Sequence, residues 1–161
     1  MQQALFAAGC FWGVQYYFDQ TPGVTKTTVG YTGGHTANPS YEEVCTHTTG
    51  HTEAVLVEFD PEQVDYEMLC KHFFRMHDPT QLNRQGPDIG DSYRTAIFYF
   101  DDGQKRLAEA AKKAAQANFK EPIVTEITPA GPFYEAEDYH QKFTERTGRG
   151  MCHIPYEPIA S

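Results

Sequence analysis

The stretch Ala4-Leu5-Phe6-Ala7-Ala8-Gly9-Cys10-Phe11-Trp12-Gly13-Val14 sets the frame for the rest of the chain. Ala4–Ala8 is a short apolar run of the length and character of a buried strand, ended by Gly9. From Phe11 the apolar period changes: Phe11, Val14 and Phe18 fall at i, i+3 and i+7, one face of a helix that stops at Thr21-Pro22-Gly23. The chain thus passes from strand to helix through Gly9-Cys10, and Cys10 stands at the helix start. Exposed N–H groups in a first helical turn favour an anion and lower a thiol's pKa. An inert buried thiol is the commoner fate of a cysteine outside a disulfide. Position alone leaves both readings of Cys10 open.

Outward from this junction, Val24–Tyr31 is rich in Val and Thr and reads as a strand closed by Gly33-Gly34. His35–Gly50 forms a long irregular segment, of the kind that often carries function in a compact domain. Thr52–Phe59 is a second strand with two alternating faces. Asp60-Pro61 suits a helix start, and Leu69, Phe73 and Met76 mark one face of the helix that follows. His77–Ser92 is irregular, Arg94–Phe100 a strand, and Asp101 or Asp102 the cap of an Ala-rich helix reaching about Asn118. Ile123–Ile127 reads as a last strand, Ala136–Glu145 as a short helix and Thr147–Ser161 as an irregular tail. The order β-α-β-β-α-β, then α and β, contains a split βαβ arrangement. It predicts an α+β fold, a two-layer sandwich around a ferredoxin-like βαββαβ core, with long loops gathered at one end and an irregular C-terminal tail. No repeat, low-complexity tract or change of composition marks a linker, so one domain is expected over residues 1–161.

Composition narrows the function classes. The 161 residues are 40% hydrophobic and 22% charged, ordinary proportions for a folded domain. No apolar run approaches the roughly 20 residues of a spanning helix, so no membrane association is expected. A net charge of -9 argues against a nucleic-acid binder, whose affinity comes from Lys and Arg. Leu5–Cys10 resembles a lipoprotein cleavage box, but it lacks a charged segment before it and a full apolar region, and it reads as structure. Cys10, Cys45, Cys70 and Cys152 are widely scattered, without zinc-type spacing or the density of a disulfide framework. A reducing, cytoplasmic setting is expected. His47 and His51 are four apart in a Thr- and Gly-rich context, and His72 and His77 are five apart, so neither pair suits a helical metal site. No metal and no organic cofactor are expected.

Two further residues carry chemistry. Trp12 is the only tryptophan; it lies beside Cys10 and off the Phe11–Val14–Phe18 stripe, either as core or as the wall of a small apolar pocket. Alternation puts Glu53 on the same face as Val55 and Val57. It stands either at the wet end of its strand or in an apolar pocket, where burial raises a carboxyl's pKa and lets it donate a proton near neutral pH.

Gly9-Cys10-Phe11-Trp12-Gly13 resembles the signature of the peptide methionine sulfoxide reductase A family. The resemblance continues through Val29–Gly34, Asn38-Pro39-Ser40-Tyr41, Val44-Cys45, Thr49–Val55, Asn83–Gly90, Tyr93–Ile97 and Ala136–Gln141, in order along nearly the whole chain. It implies reduction of the S epimer of methionine sulfoxide, free or in proteins, with no metal or organic cofactor and with thioredoxin as the electron donor. Cys10 is then the nucleophile, Phe11 and Trp12 hold the substrate's methyl group, and Glu53 protonates the sulfoxide oxygen. Tyr41 and Tyr93 add hydrogen bonds to that oxygen, and Asp88 supports the polar side of the pocket. Relatives resolve the sulfenic acid with one or two cysteines near the C-terminus. Here Cys152 is the candidate, which implies a Cys10–Cys152 disulfide, while Cys45 and Cys70 are expected to stay outside the cycle. The family fold is an α+β sandwich, and the chain is expected to act as a monomer.

Two rivals remain on sequence alone. A thiol peroxidase would use the same cysteine, and comparing methionine sulfoxide with hydrogen peroxide as oxidant separates the two. A non-enzymatic peptide-binding module would grip its ligand in the aromatic cleft and show no turnover.

Overall fold

The computed structural model describes residues 2–46, 48–85 and 88–147; the expected tail and Cys152 lie outside the described residues. The sheet is built outward from β1 (Gln2–Ala8). Its run Ala4–Ala8 is at most 1% exposed, as an apolar strand needs to be when both faces and both edges are covered. β1 pairs antiparallel with β3 (Thr52–Phe59) on one side and with β6 (Thr95–Tyr99) on the other. Beyond β3 lie β2 (Val24–Thr32) and β8 (Phe133–Glu135), both antiparallel to their neighbours. Beyond β6 lies β7 (Glu126–Pro129), which is parallel to it. The order is therefore β7-β6-β1-β3-β2-β8, a mixed α/β arrangement. A separate two-stranded ribbon pairs β4 (Arg84–Gln85) with β5 (Asp88–Ile89).

Helices α1 (Phe11–Asp19), α3 (Tyr66–Arg75) and α4 (Asp102–Ala115) supply the larger core. Alternation along β1 sends Ala4, Phe6 and Ala8 into that core and Leu5 and Ala7 into a smaller cluster with Ala54, Ala96 and Phe98. Phe6 is its centre. Its ring stacks on Phe18 of α1 at 5.4 Å and on Tyr66 and Phe73 of α3 at 6.0 and 5.3 Å. α4 makes the crossover that a parallel β6–β7 pair requires. Asp101 rather than Asp102 caps it, accepting from the Gln104 amide at 2.8 Å.

Several element boundaries depart from the sequence reading. The segment read as irregular from His35 holds a short helix, α2 (Tyr41–Cys45), begun by a capping box between Ser40 and Glu43. α3 begins at Tyr66 with Asp65 as its cap, because residues 61–63 form a turn closed on Asp60. The last strand of the sequence reading, Ile123–Ile127, forms instead at Glu126–Pro129, where it finds β6; Ile123 still points into the core. The helix expected over Ala136–Glu145 does not form. In its place stand a 3₁₀ turn at Asp138–His140 and α5 (Phe143–Thr147), separated by Lys142 at φ 58°. The reason is tertiary: the Gln141 side chain donates to and accepts from the backbone of Val29, at 3.0 Å each way. That bond continues the edge of β2 where β8 ends. Gly30 lets β8 come this close, since a Cβ there would meet the Tyr134 carbonyl at 2.4 Å.

Phe6 joins sheet and helices through three stacks, so Phe6→Ala is expected to lower the unfolding free energy by about 3–5 kcal/mol. Urea denaturation measures it, and a loss under 1 kcal/mol contradicts this account of the core.

Candidate active site

The site begins where β1 ends. Gly9 takes φ +94°, a left-handed conformation open to glycine, and this turns the chain from strand into helix. Cys10 then occupies the N-cap of α1 with φ -56° and ψ 119°, so its backbone is not yet helical. The residue is 8% exposed. The next amide, that of Phe11, donates to Glu53 Oε1 at 3.1 Å. Glu53 is 2% exposed and sits on the helix-facing side of β3, which resolves its two sequence readings in favour of the pocket. One hydrogen bond therefore ties the carboxyl of β3 to the first helical residue after Cys10. The helix start offers its N–H to this carboxyl, an arrangement that the sequence reading of Cys10 alone did not contain.

Tyrosines come from two other segments. Tyr41 opens α2, and Tyr93 ends the 3₁₀ turn Asp91–Tyr93. The turn is pinned to β3 by the Thr52 hydroxyl, which donates to the Ser92 carbonyl at 3.0 Å. Burial drives the pKa of both phenols well above the ordinary tyrosine value, and the charge of Glu53 drives both further. Cys45, Asp88 and Cys10 raise Tyr93 as well, so their charges reach the same hydroxyl as that of Glu53. Both hydroxyls keep their protons across the physiological range and remain available as donors. The five polar positions read from sequence, Cys10, Glu53, Tyr41, Tyr93 and Asp88, are thus brought together from five segments.

Phe11 and Trp12 form the aromatic side, and here the structure adds residues that the sequence reading left without a role. Trp12 donates its indole N–H to His140 Nδ1 at 2.9 Å and stacks on Phe143 at 4.0 Å. Phe11 packs against Tyr31 at 5.7 Å and His140 at 5.2 Å. Glu137 receives the Tyr31 hydroxyl at 3.0 Å, the Tyr41 amide at 3.1 Å and the Tyr139 hydroxyl at 3.2 Å. These donors hold its carboxyl below the usual range even though burial opposes them. Glu137 therefore clamps α2, and Tyr41 with it, to the segment after β8. A concentration of polar and aromatic residues at Ala136–Gln141 was the available signal, but a helical reading sends those side chains in different directions.

Cys45 lies at the edge of this group. The Tyr41 hydroxyl donates to its sulfur, and burial pushes the thiol's pKa up. Cys70 is fully buried on α3 beside the Tyr66 hydroxyl, its pKa pushed up to about 12 by burial. Neither thiol has the environment of a nucleophile. Cys152 lies outside the described residues. Among the described residues no group of three or more His, Cys, Asp or Glu is arranged to hold a metal, and no helix is long and apolar enough to cross a membrane. A groove of about 900 Å³ between α3 and α4, with Phe74, Leu107 and Phe119 in its walls, contains none of the residues of this site.

The site thus sets a thiol at a helix start near a buried carboxyl and two phenols that keep their protons. A family model for peptide methionine sulfoxide reductase matches residues 2–161. The chain is 55% identical over 158 residues to peptide methionine sulfoxide reductase MsrA of Pasteurella multocida, covering 98% of this chain and 91% of that one. To the protein of the same name from Methanothermobacter thermautotrophicus it is 51% identical over 155 residues, with coverage of 95% and 92%. The reduced form of Mxr1 from Saccharomyces cerevisiae shares the fold with a TM-score of 0.92 at 30% identity, covering 98% of this chain and 92% of that one. Mxr1 has also been solved in complex with Trx2. This chain belongs to the peptide methionine sulfoxide reductase family.

The thiol environments predict a labelling order. Iodoacetamide at pH 8 is expected to leave Cys70 unmodified in the native protein and to modify it on denaturation. Peptide mass spectrometry reads the outcome; native labelling of Cys70 at the rate of a model thiol contradicts the assignment.

Proposed function

We propose that this chain reduces the S epimer of methionine sulfoxide to methionine, free or within proteins, with Cys10 as the nucleophile and Glu53 as the proton donor. The observation that carries the reading is the contact between the Phe11 amide and Glu53, because it sets a buried carboxyl beside the thiol that precedes Phe11. Sulfoxide oxygen leaves poorly as an anion, so attack at sulfur needs a proton at oxygen in the same step. Burial disfavours a charged carboxylate, which suits Glu53 to binding substrate as the neutral acid. Tyr93, whose hydroxyl stays protonated, donates to the same oxygen, and Tyr41 does so by turning its one O–H from the Cys45 sulfur to the substrate. Asp88 supports this polar side. Phe11 and Trp12 take the methyl group. Exchanging methyl and oxygen sets each against the wrong wall, which is the basis of the choice between epimers.

The electrons balance in two steps. Cys10 thiolate attacks the sulfoxide sulfur, forming an S–S bond as the protonated oxygen leaves as water; water then attacks the Cys10 sulfur, the S–S bond breaks, and methionine and a Cys10 sulfenic acid remain. The Cys152 thiol then displaces water from that sulfenic acid to form a Cys10–Cys152 disulfide. A thioredoxin dithiol returns the disulfide to two thiols, in keeping with the complex between Mxr1 and Trx2. Such a cycle belongs to a reducing compartment, and we place it in the cytoplasm. We also read residues 1–161 as one domain and the sheet as an elaborated ferredoxin-like sandwich. The order β6-β1-β3-β2, with α1 and α3 on one face, supports this, and β7 and β8 are additions at the two edges.

Cys10→Ser is expected to abolish reduction with any reductant, since a neutral hydroxyl does not attack sulfoxide sulfur. Glu53→Gln should slow sulfenic-acid formation by about 10²–10⁴ while keeping shape and a hydrogen-bond donor. Single-turnover rapid mixing measures this rate, and an unchanged value assigns the proton to another group. Cys152→Ser is expected to release one methionine per enzyme and then stall under thioredoxin. Sustained thioredoxin-driven turnover in that variant removes Cys152 from the cycle.

A further inference from the structure

We infer that His51 is a positioning residue for Tyr41: its imidazole bridges the neck of the loop that carries Tyr41 and fixes that hydroxyl relative to Glu53. The inference rests on the reading of Tyr41 and Glu53 as groups that meet the sulfoxide oxygen. β2 and β3 stay paired as far as Thr32 and Thr52, so residues 33–51 leave the sheet and return to it at one point. Among the described residues of this loop only Pro39, Val44, Thr49 and His51 are buried. Few buried contacts leave a loop at the low-stability end of a fold, so its tyrosine needs another hold. α2, with Tyr41 at its start, lies within the loop, while Glu53 stands two residues beyond His51 on β3.

Both ring nitrogens of His51 work at the neck. The Gly34 amide donates to Nδ1 at 3.0 Å, and the Thr36 carbonyl lies 2.6 Å from Nε2. An amide N–H only donates and a carbonyl only accepts, so Nδ1 is the bare nitrogen and Nε2 carries the ring proton. The ring is 2% exposed and meets the Tyr134 ring of β8 edge-on at 5.5 Å. Backbone contacts draw the same two sides together: the His35 amide donates to the Thr49 carbonyl at 2.9 Å, and the His51 amide to the Thr49 hydroxyl at 3.2 Å. Thr36 stands five residues before Tyr41. From there the Ser40–Glu43 capping box and the Glu137 contact with the Tyr41 amide carry the position forward into α2. Without the imidazole, the Gly34 amide and the Thr36 carbonyl lose their shared partner, and the entry to α2 is free to shift against β3. A displacement of about 1 Å in a group that bonds a reacting atom can cost about 10²-fold in rate.

The test is a pair of double-mutant cycles, read as the single-turnover rate of methionine release at saturating methionine sulfoxide. His51→Leu removes both ring bonds and is expected to slow that step by about 10–10². Tyr41→Phe should slow it at least as much, and adding His51→Leu to Tyr41→Phe should then change the rate by less than about twofold. In a Tyr93→Phe background the same substitution should keep its whole effect, a contrast that general loosening of the fold does not produce. His51→Gln, whose amide offers one acceptor and one donor, should be slowed less than His51→Leu. Nitrogen NMR of the native protein should find the His51 ring proton on Nε2. The proposal is overturned by a wild-type rate in His51→Leu, by its full loss on top of Tyr41→Phe, or by a ring proton on Nδ1. Should His51→Leu fail to fold, His51→Gln takes its place in both cycles: a loss absorbed by Tyr41→Phe supports the proposal, and a wild-type rate or an additive loss overturns it. An unaltered rate in Tyr41→Phe defeats the reading of Tyr41 itself and the role of His51 with it, whereas a slowed Tyr41→Phe beside an unaffected His51→Leu defeats only the role of His51.

Discussion

The hydrogen bond from the Phe11 amide to Glu53 Oε1 joins the two elements on which the site depends. α1 leaves the sheet at Gly9, and its first amides have no partner inside the helix. A carboxyl on the adjacent strand satisfies the first of them, and in doing so it is held at the thiol end of the helix rather than in solvent. The contact works from both sides: it completes the helix start and it keeps a buried carboxyl hydrogen-bonded. A carboxyl at that depth without such a donor would be costly to bury. The sheet register makes the contact possible, because β3 lies next to β1 and Glu53 sits near the strand end from which α1 departs.

Around this pair the loops do the positioning. α2 brings Tyr41, and the turn before β6 brings Tyr93, each fixed by its own backbone contact: Glu137 holds the Tyr41 amide, and Thr52 holds the Ser92 carbonyl. The segment from β8 to α5 closes the other side. It completes the edge of β2 through Gln141, ties Lys142 to Asp19 of α1 at 2.7 Å, and delivers Glu137, His140 and Phe143 against Tyr31, Tyr41 and Trp12. A regular helix there would satisfy its own backbone and leave the β2 edge open. Its absence is what lets this segment serve as the third wall.

The three described cysteines show how one chemical group is given different fates by its surroundings. Cys10 stands at a helix start beside acids and phenols; Cys70 is sealed inside the helix layer; Cys45 accepts a hydrogen bond from Tyr41, yet burial still holds its pKa up. Burial with no positive partner penalises the thiolate, which explains the raised values of the last two. In the proposed cycle Cys10 carries the negative sulfur that attacks the sulfoxide.

By itself the sequence determined the elements whose signals are local. The apolar run Ala4–Ala8 announced a strand, the change of period at Phe11 a helix, and Gly9-Cys10 the junction between them. Strand Thr52–Phe59 and a cap at Asp101 or Asp102 were legible for the same reason, as periodicity and capping act within a few residues, and the structure chose Asp101. Cys10 and Trp12 as neighbours, and Glu53 on the face of Val55 and Val57, followed from the same patterns, while the resemblance supplied Tyr41, Tyr93 and Asp88. Two readings of Glu53 survived, and only the structure separated them: whether a strand end is wet or sealed depends on what packs over it, here α1. Tertiary structure alone also decided the fate of Ala136–Glu145. Gln141 found the edge of β2, and Lys142 took a left-handed turn that broke the helical pattern. The roles of His140 and Glu137 were hidden for the same physical reason. Their partners lie about a hundred or more residues away in the chain, and no local pattern encodes a hydrogen bond of that range.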